Sequence, residues 1–361
     1  MEAQRQTKVP RQVPIDTRSM KLSKYRCVVC EQGPMRADAT FWQCEHCGQR
    51  YPTVRGVPKL YVEANLGQRD RVLRDFFYNG LLGKYYQHLV PFLTLPVRPG
   101  YLSGWLAYAL IVAGLFALAG HSINFLFFAH RWRAPLTLDF IDLGLCLAVA
   151  FFLLRHRYLL YLLLLAVPVK ISLLFTGFRT KESFPDVHAR LITQLQKRTE
   201  RLQVLDIATG SCNSLYRHGW MNLNADYTGL DLSETMLFRG LDFMKQKQVP
   251  MDFVFGDAMR LPFVEETFDV VLNYGALNAY TDPKRALDEM ARVTKRQGLV
   301  LFYDEQLHES ASWVEKIYFR RVLSSHDLIH HCPVELIPPN LGDINVRQIY
   351  HFYYLCTCLK K

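Results

Sequence analysis

Cys27, Cys30, Cys44 and Cys47 form two Cys-x-x-Cys pairs separated by thirteen residues, a spacing that brings four thiolates to one tetrahedral metal ion. Each pair sets two sulfurs on one tight turn, and Gly48, directly after the second pair, has the backbone freedom such a turn uses. Protein side chains would fill all four positions, so the expected Zn2+ is structural and leaves no open position for a substrate. Free cysteines or a redox pair are the alternative. His46 lies inside the second turn and is read as a bystander.

A second constellation is spread over the last half of the chain. Asp206 lies in the apolar run Gln203–Ile207, which leads into Ala208-Thr-Gly210-Ser-Cys-Asn213, where the glycine lets a ligand approach the backbone. Asp231 ends a second run and precedes Leu232; a carboxylate there can accept hydrogen bonds from both hydroxyls of a ribose. Asp257, with the backbone of Ala258, suits an adenine edge, and Asn273 closes such a site below its reactive end. A dinucleotide fingerprint needs G-x-G-x-x-G, and this loop has one glycine, which argues against a nicotinamide cofactor.

These groups must be held by strands and helices in alternation. Strands are predicted at 203–207, ending at 231, at 251–255, 268–273 and 298–303, with helices at 187–201 and 282–294. That alternation predicts a parallel, doubly wound sheet with ligands at the strands' C-terminal ends.

The set resembles the class I S-adenosylmethionine-dependent methyltransferases over about 120 residues, Gln203 to Tyr303, and within them the ubiquinone and menaquinone C-methyltransferases. The matching motifs are Asp206-Ile-Ala-Thr-Gly-Ser-Cys212 and Gly275-Ala-Leu-Asn278-Ala-Tyr-Thr-Asp282. The resemblance implies an α/β, Rossmann-like, seven-stranded domain that binds S-adenosyl-L-methionine through Asp206, Ala208, Gly210, Asp231, Leu232, Asp257, Ala258 and Asn273. Cys212 stands where that family's loop has its last glycine, and its β-carbon is expected to narrow the approach of the methionine tail. Tyr274, Asn278 and Tyr280 are candidate acceptor contacts, and no catalytic residue is assigned. The cysteine segment, with its Tyr51-Pro and Gly56-Val-Pro, resembles the zinc ribbon of tRNA-methyltransferase activator subunits and of some bacterial methyltransferases.

Between these regions, 101–128 holds no charged residue, a second apolar run covers 136–154 and a third 158–178. Runs of this length predict two membrane spans, at 101–130 and 136–154, with 158–178 at the interface; a buried helical hairpin is the alternative. The domains expected are a disordered tail at 1–22, a zinc ribbon at 23–64, a helical linker or lid at 65–100, a helical transmembrane insertion at 101–181 and the methyltransferase domain at 182–361. Both soluble parts would face the cytoplasm of an integral protein of the bacterial inner membrane. The net charges of 1–100, 101–181 and 182–361 are +8, +5 and −3, so the C-terminal domain is not built to grip a nucleic acid.

The expectation is therefore a membrane-anchored methyltransferase of a lipophilic acceptor: a quinone precursor, an isoprenoid or a lipid headgroup. Two alternatives stay open. The ribbon could recruit a protein or RNA component as the methyl acceptor, or the fold could be a scaffold without turnover.

Overall fold

The computed structural model describes residues 22–38, 40–81, 83, 184–309, 311, 313, 316, 319, 320, 331–349 and 353–361. The main sheet contains β5 (Leu202–Ile207), β6 (Ala225–Asp231), β7 (Met251–Phe255), β8 (Phe268–Tyr274), β9 (Thr294–Glu305), β10 (Leu341–Ile349) and β11 (Tyr353–Lys360), in the order β10-β11-β9-β8-β5-β6-β7. β9, β8, β5, β6 and β7 run parallel. β11 lies antiparallel between β9 and β10, and β10 runs in the direction of the parallel five, so the sheet is mixed where a parallel one was expected.

The central strands carry apolar runs because both their faces are covered. All seven residues of β8 are buried, and so are the last four of β5. Helix α2 (Phe184–Leu195) precedes β5, α3 (Asn213–Arg217) follows it, α4 (Glu234–Gln246) joins β6 to β7 and α5 (Pro283–Val293) joins β8 to β9. Local chemistry starts two of them. Ser233 caps α4 by accepting the N–H of Met236, and Asp282 caps α5 by accepting that of Arg285, with Pro283 in the first turn. The chain order reverses at β5, between β8 and β6, and this is where an open α/β sheet has its ligand crevice.

The cysteine region forms a four-stranded antiparallel sheet, β1 (Met35–Ala37), β2 (Phe41–Cys44), β3 (Arg50–Val54) and β4 (Val57–Pro58). It seats on the β7 edge: Lys59 pairs in parallel with Phe255, and Leu60 N–H donates to the Phe255 carbonyl at 2.8 Å. Tyr25, Trp42 and Tyr51 are buried in one apolar cluster with Ile207, Leu230, Val254 and Phe263. Helix α1 (Gln68–Val72) follows and continues as a wider turn over Leu73–Leu81.

Among the described residues no helix is long and apolar enough to cross a membrane. The two longest regular ones, α2 and α4, have 12 and 13 residues. They span about 20 Å at most, against a hydrocarbon core of about 30 Å. The expectation of an integral membrane protein is corrected accordingly. The expected spans at 101–130 and 136–154 and the interfacial segment at 158–178 lie outside the described residues, as do residues 1–21 of the expected tail.

Candidate functional site

A cavity opens at the C-terminal ends of β5, β6, β7 and β8. Ala208, Gly210, Asp231, Leu232, Asp257 and Ala258 line it together with Tyr274 and Tyr280. The loop after β5 reaches it through an unusual backbone, with positive φ at Ala208 (55°), Gly210 (52°) and Cys212 (58°). Left-handed backbone costs a non-glycine residue about 1–2 kcal/mol, so the surrounding packing must hold this loop in shape. Cys212 itself is fully buried and does not line the cavity. Its Sγ lies 3.4 Å from Thr209 Oγ1, and a β-carbon added to Gly240 of α4 would meet that sulfur at 2.8 Å. The expected narrowing of the cavity by Cys212 is therefore not found, because its side chain turns into the α4 interface.

Asp231 joins two loops. Gly210 N–H donates to its Oδ2 and Ser233 N–H to its Oδ1, each at 2.8 Å. Burial pushes its carboxyl up to about 6 even though the N–H groups of Ser233, Gly210 and Leu232 pull it down. Asp257 accepts the N–H of Met259 at 2.9 Å and is likewise pushed up to about 6 by burial.

Asp206 and Asn273 do not line the cavity; they sit behind it on adjacent strands. Asp206 accepts Thr209 Oγ1–H at 2.6 Å on Oδ2, and its buried Oδ1 has no partner. Burial, reinforced by the Asp231 charge, pushes it up to about 7. Asn273 donates through Nδ2 to the Tyr280 hydroxyl at 2.8 Å, and its buried Oδ1 is also unpartnered. Asn278 is not brought to the cavity. Its N–H donates to Asp304 at 2.8 Å and its Oδ1 accepts the Tyr354 hydroxyl at 3.0 Å, so it braces the loop after β8.

Residues 205–302 match the family model described as a methyltransferase domain. They are a class I S-adenosylmethionine-dependent methyltransferase domain. Among relatives, demethylmenaquinone methyltransferase of Renibacterium salmoninarum is 36% identical over 109 residues, 30% of this chain and 44% of that protein. The phthiotriol/phenolphthiotriol dimycocerosates methyltransferase of Mycobacterium tuberculosis is 41% identical over 92 residues, 25% of this chain and 33% of that one. The ubiquinone/menaquinone biosynthesis C-methyltransferase of Cereibacter sphaeroides is 32% identical over 164 residues, 44% of this chain and 59% of that protein. The chain spans less than two thirds of the length of each of these relatives.

The chemistry of the methyltransferase cavity suits S-adenosylmethionine. That molecule offers a sulfonium, an ammonium, a ribose diol and an adenine amine, which are positive charges and hydrogen-bond donors. The cavity presents the carboxylates of Asp231 and Asp257, with two unpartnered buried acceptors, Asp206 Oδ1 and Asn273 Oδ1, behind it.

Four lining residues of the methyltransferase cavity come from outside the matched domain and were not named as site residues from sequence: Asp70, Leu73, Arg74 and Tyr78. They belong to the segment expected to be a helical linker or lid, whose last part, 84–100, lies outside the described residues. Asp70 is buried, accepting Thr281 Oγ1–H at 2.6 Å. Asn79 Oδ1 accepts Ser233 Oγ–H at 2.7 Å and the N–H of Thr235 at 3.2 Å, which ties the segment to the start of α4.

In the ribbon, the Sγ atoms of Cys27, Cys30, Cys44 and Cys47 all lie within 4.8 Å of one another. Cys27 and Cys47 are 3.7 Å apart and Cys30 and Cys44 3.6 Å. Sulfurs on a tetrahedral zinc with bonds of about 2.3 Å stand about 3.8 Å apart, so the four thiols fit that ion.

Proposed function

We propose that this chain transfers a methyl group from S-adenosylmethionine to a lipophilic acceptor such as a quinone precursor, an isoprenoid or a lipid headgroup. The observation that carries the reading is the acceptor-rich cavity at the strand ends, closed on one side by the segment from Asp70 to Tyr78. The three related enzymes carry menaquinone or phthiotriol in their names, and both kinds of molecule are lipophilic.

In this reading Asp231 accepts the ribose hydroxyls, Asp257 and the Ala258 backbone meet the adenine, and the loop from Ala208 to Gly210 holds the methionine end. Asp206 places negative charge behind that end and Asn273 closes the floor. When bound, the cofactor supplies an electrophilic methyl group for in-line displacement, so the protein's task is alignment and water exclusion. Leu73 and Tyr78 would exclude water from above. The ring of Tyr274 is fixed because its hydroxyl accepts Trp220 Nε1–H and lies 3.0 Å from His188 Nε2. The four-cysteine cluster holds a structural zinc.

The test is incubation of the purified full-length chain with labelled methyl donor and a bacterial lipid extract, followed by organic extraction and chromatography. Label in a discrete lipid species supports the reading. Label only in protein or RNA would replace the lipophilic acceptor with a ribbon-recruited one.

A further inference from the structure

The ribbon is wired into the cavity wall. Its exit strand is bonded to Phe255 through Leu60, and Phe255 directly precedes Gly256, Asp257 and Ala258 of the cavity. Lys59 forms an ion pair with Glu234 at the start of α4, the helix that follows Asp231. Glu63, four residues further on, takes both ends of the Arg74 guanidinium, at 2.8 and 2.7 Å, and Arg74 lines the cavity. Arg71 donates twice to the Leu66 carbonyl, at 3.0 and 2.7 Å, folding the covering helix back on the chain that leaves the ribbon. A β-carbon on Gly67 would come within 2.5 Å of both Asp70 Oδ2 and Thr281 Oγ1, so the turn into the helix has one narrow path.

We propose that Lys59, Leu60 and Glu63 are positioning residues of the methyl-donor pocket, and that metal at the four thiols and methyl donor in the cavity bind with positive linkage. The inference rests on the cavity being the methyl-donor site. The metal orders β1–β4, that sheet fixes the exit strand on β7, and the exit strand sets the helix that supplies Asp70, Leu73, Arg74 and Tyr78. In the bidentate Arg74–Glu63 pair the guanidinium is 10% exposed and the carboxylate 56%, so the arginine, which Asp75 also holds, is the fixed end.

Calorimetric titration of the full-length chain with S-adenosylhomocysteine, zinc-loaded and chelator-stripped, reads the linkage directly. Stripping is expected to weaken binding about tenfold, and the bound ligand should slow zinc loss to a chelator by a comparable factor, since linkage is reciprocal. Because stripping can also unfold the chain, Glu63→Gln is compared on the zinc-loaded protein. It should keep stoichiometric zinc, bind S-adenosylhomocysteine severalfold more weakly and abolish the slowing of zinc loss, with Glu63→Asp restoring part of both. A purely structural role would lower the melting temperature and leave the slowing of zinc loss intact. Wild-type affinity together with wild-type slowing in Glu63→Gln would overturn the proposal. No binding to the zinc-loaded wild type would overturn the methyl-donor reading itself, and the linkage with it.

Discussion

The backbone N–H of Gly210 donates to Asp231 Oδ2 at 2.8 Å, so a carboxylate that faces the cavity also ties the loop after β5 to the loop after β6. Asp231 thereby has two tasks, and its replacement should show both. Asp231→Ala is expected to weaken S-adenosylhomocysteine binding at least tenfold, since hydrogen bonds to a charged group contribute about 1.5–3 kcal/mol each. It should also lower stability by about 1–3 kcal/mol by leaving the Gly210 and Ser233 N–H groups without their acceptor. Calorimetry and denaturant titration separate the two effects. Unchanged affinity would remove Asp231 from the ribose site.

The strands of the domain were legible because a strand buried on both faces has to be apolar throughout. The expected 251–255 is β7 as found, and β8 extends the expected 268–273 by one residue, Tyr274. β10 was not read, because four consecutive residues in its middle, Asp343–Val346, are exposed and no inward-outward alternation remains there. Asp231 and Asp257 were legible as residues closing such strands. Asp70 and Arg74 were not, since they reach the cavity from more than a hundred residues upstream of β5 and no local period records that return. Asn278 shows the opposite limit. Its motif places it beside Tyr280, yet only the fold reveals that its backbone N–H is spent on Asp304 and its side-chain amide on Glu305 and Tyr354.

Gly67 and Gly275 should respond differently to alanine. At Gly67 the new β-carbon meets two oxygens at 2.5 Å, those of the Asp70–Thr281 bond that holds the covering helix. Gly67→Ala is therefore expected to cost about 1–3 kcal/mol as an overpacked site and to weaken S-adenosylhomocysteine binding severalfold. Gly275 has φ +64° and nothing within 4 Å, so alanine there costs only the backbone preference, about 1–2 kcal/mol. Thermal melts and titrations of both variants make the comparison. Gly275 itself lines the cavity, so affinity is compared between Gly67→Ala and the unaltered chain, and equal values there would mean that the Asp70–Thr281 bond does not seat the helix.

The carboxyls of Asp231 and Asp257 in the cavity, and of Asp206 behind it, make ligand-free stability depend on pH in a set direction. Asp206 is pushed up to about 7 and Asp231 and Asp257 to about 6, in each case chiefly by burial. A carboxyl raised in the folded chain contributes stability that is complete below its unfolded value of about 4 and is lost as pH rises through the folded value. Ligand-free protein should therefore lose stability between pH 5 and pH 7.5 from these groups, and Asp206→Asn should flatten that fall most. Binding runs the other way. A cationic methyl donor selects the ionised carboxylates, so its affinity should rise from pH 5.5 to 7.5 and level off above. Affinity independent of pH across that window would show that these groups do not meet the methyl donor's charge.

Cys212 gives the sharpest contrast between position in a motif and position in space. In the loop it occupies the family's glycine position, and it does adopt the left-handed backbone of a glycine, φ 58°. Its sulfur is turned from the cavity toward Gly240 and Thr209. Cys212→Gly would relieve about 1–2 kcal/mol of backbone strain and forfeit the packing of a fully buried side chain against α4, two terms of similar size and opposite sign. The expected result is a small net change in melting temperature and a change of less than about threefold in the dissociation constant for S-adenosylhomocysteine. If glycine at 212 instead tightened binding tenfold or more, the cysteine would be a brake on the methyl-donor site, and the turned-away sulfur would have to swing into the cavity in solution.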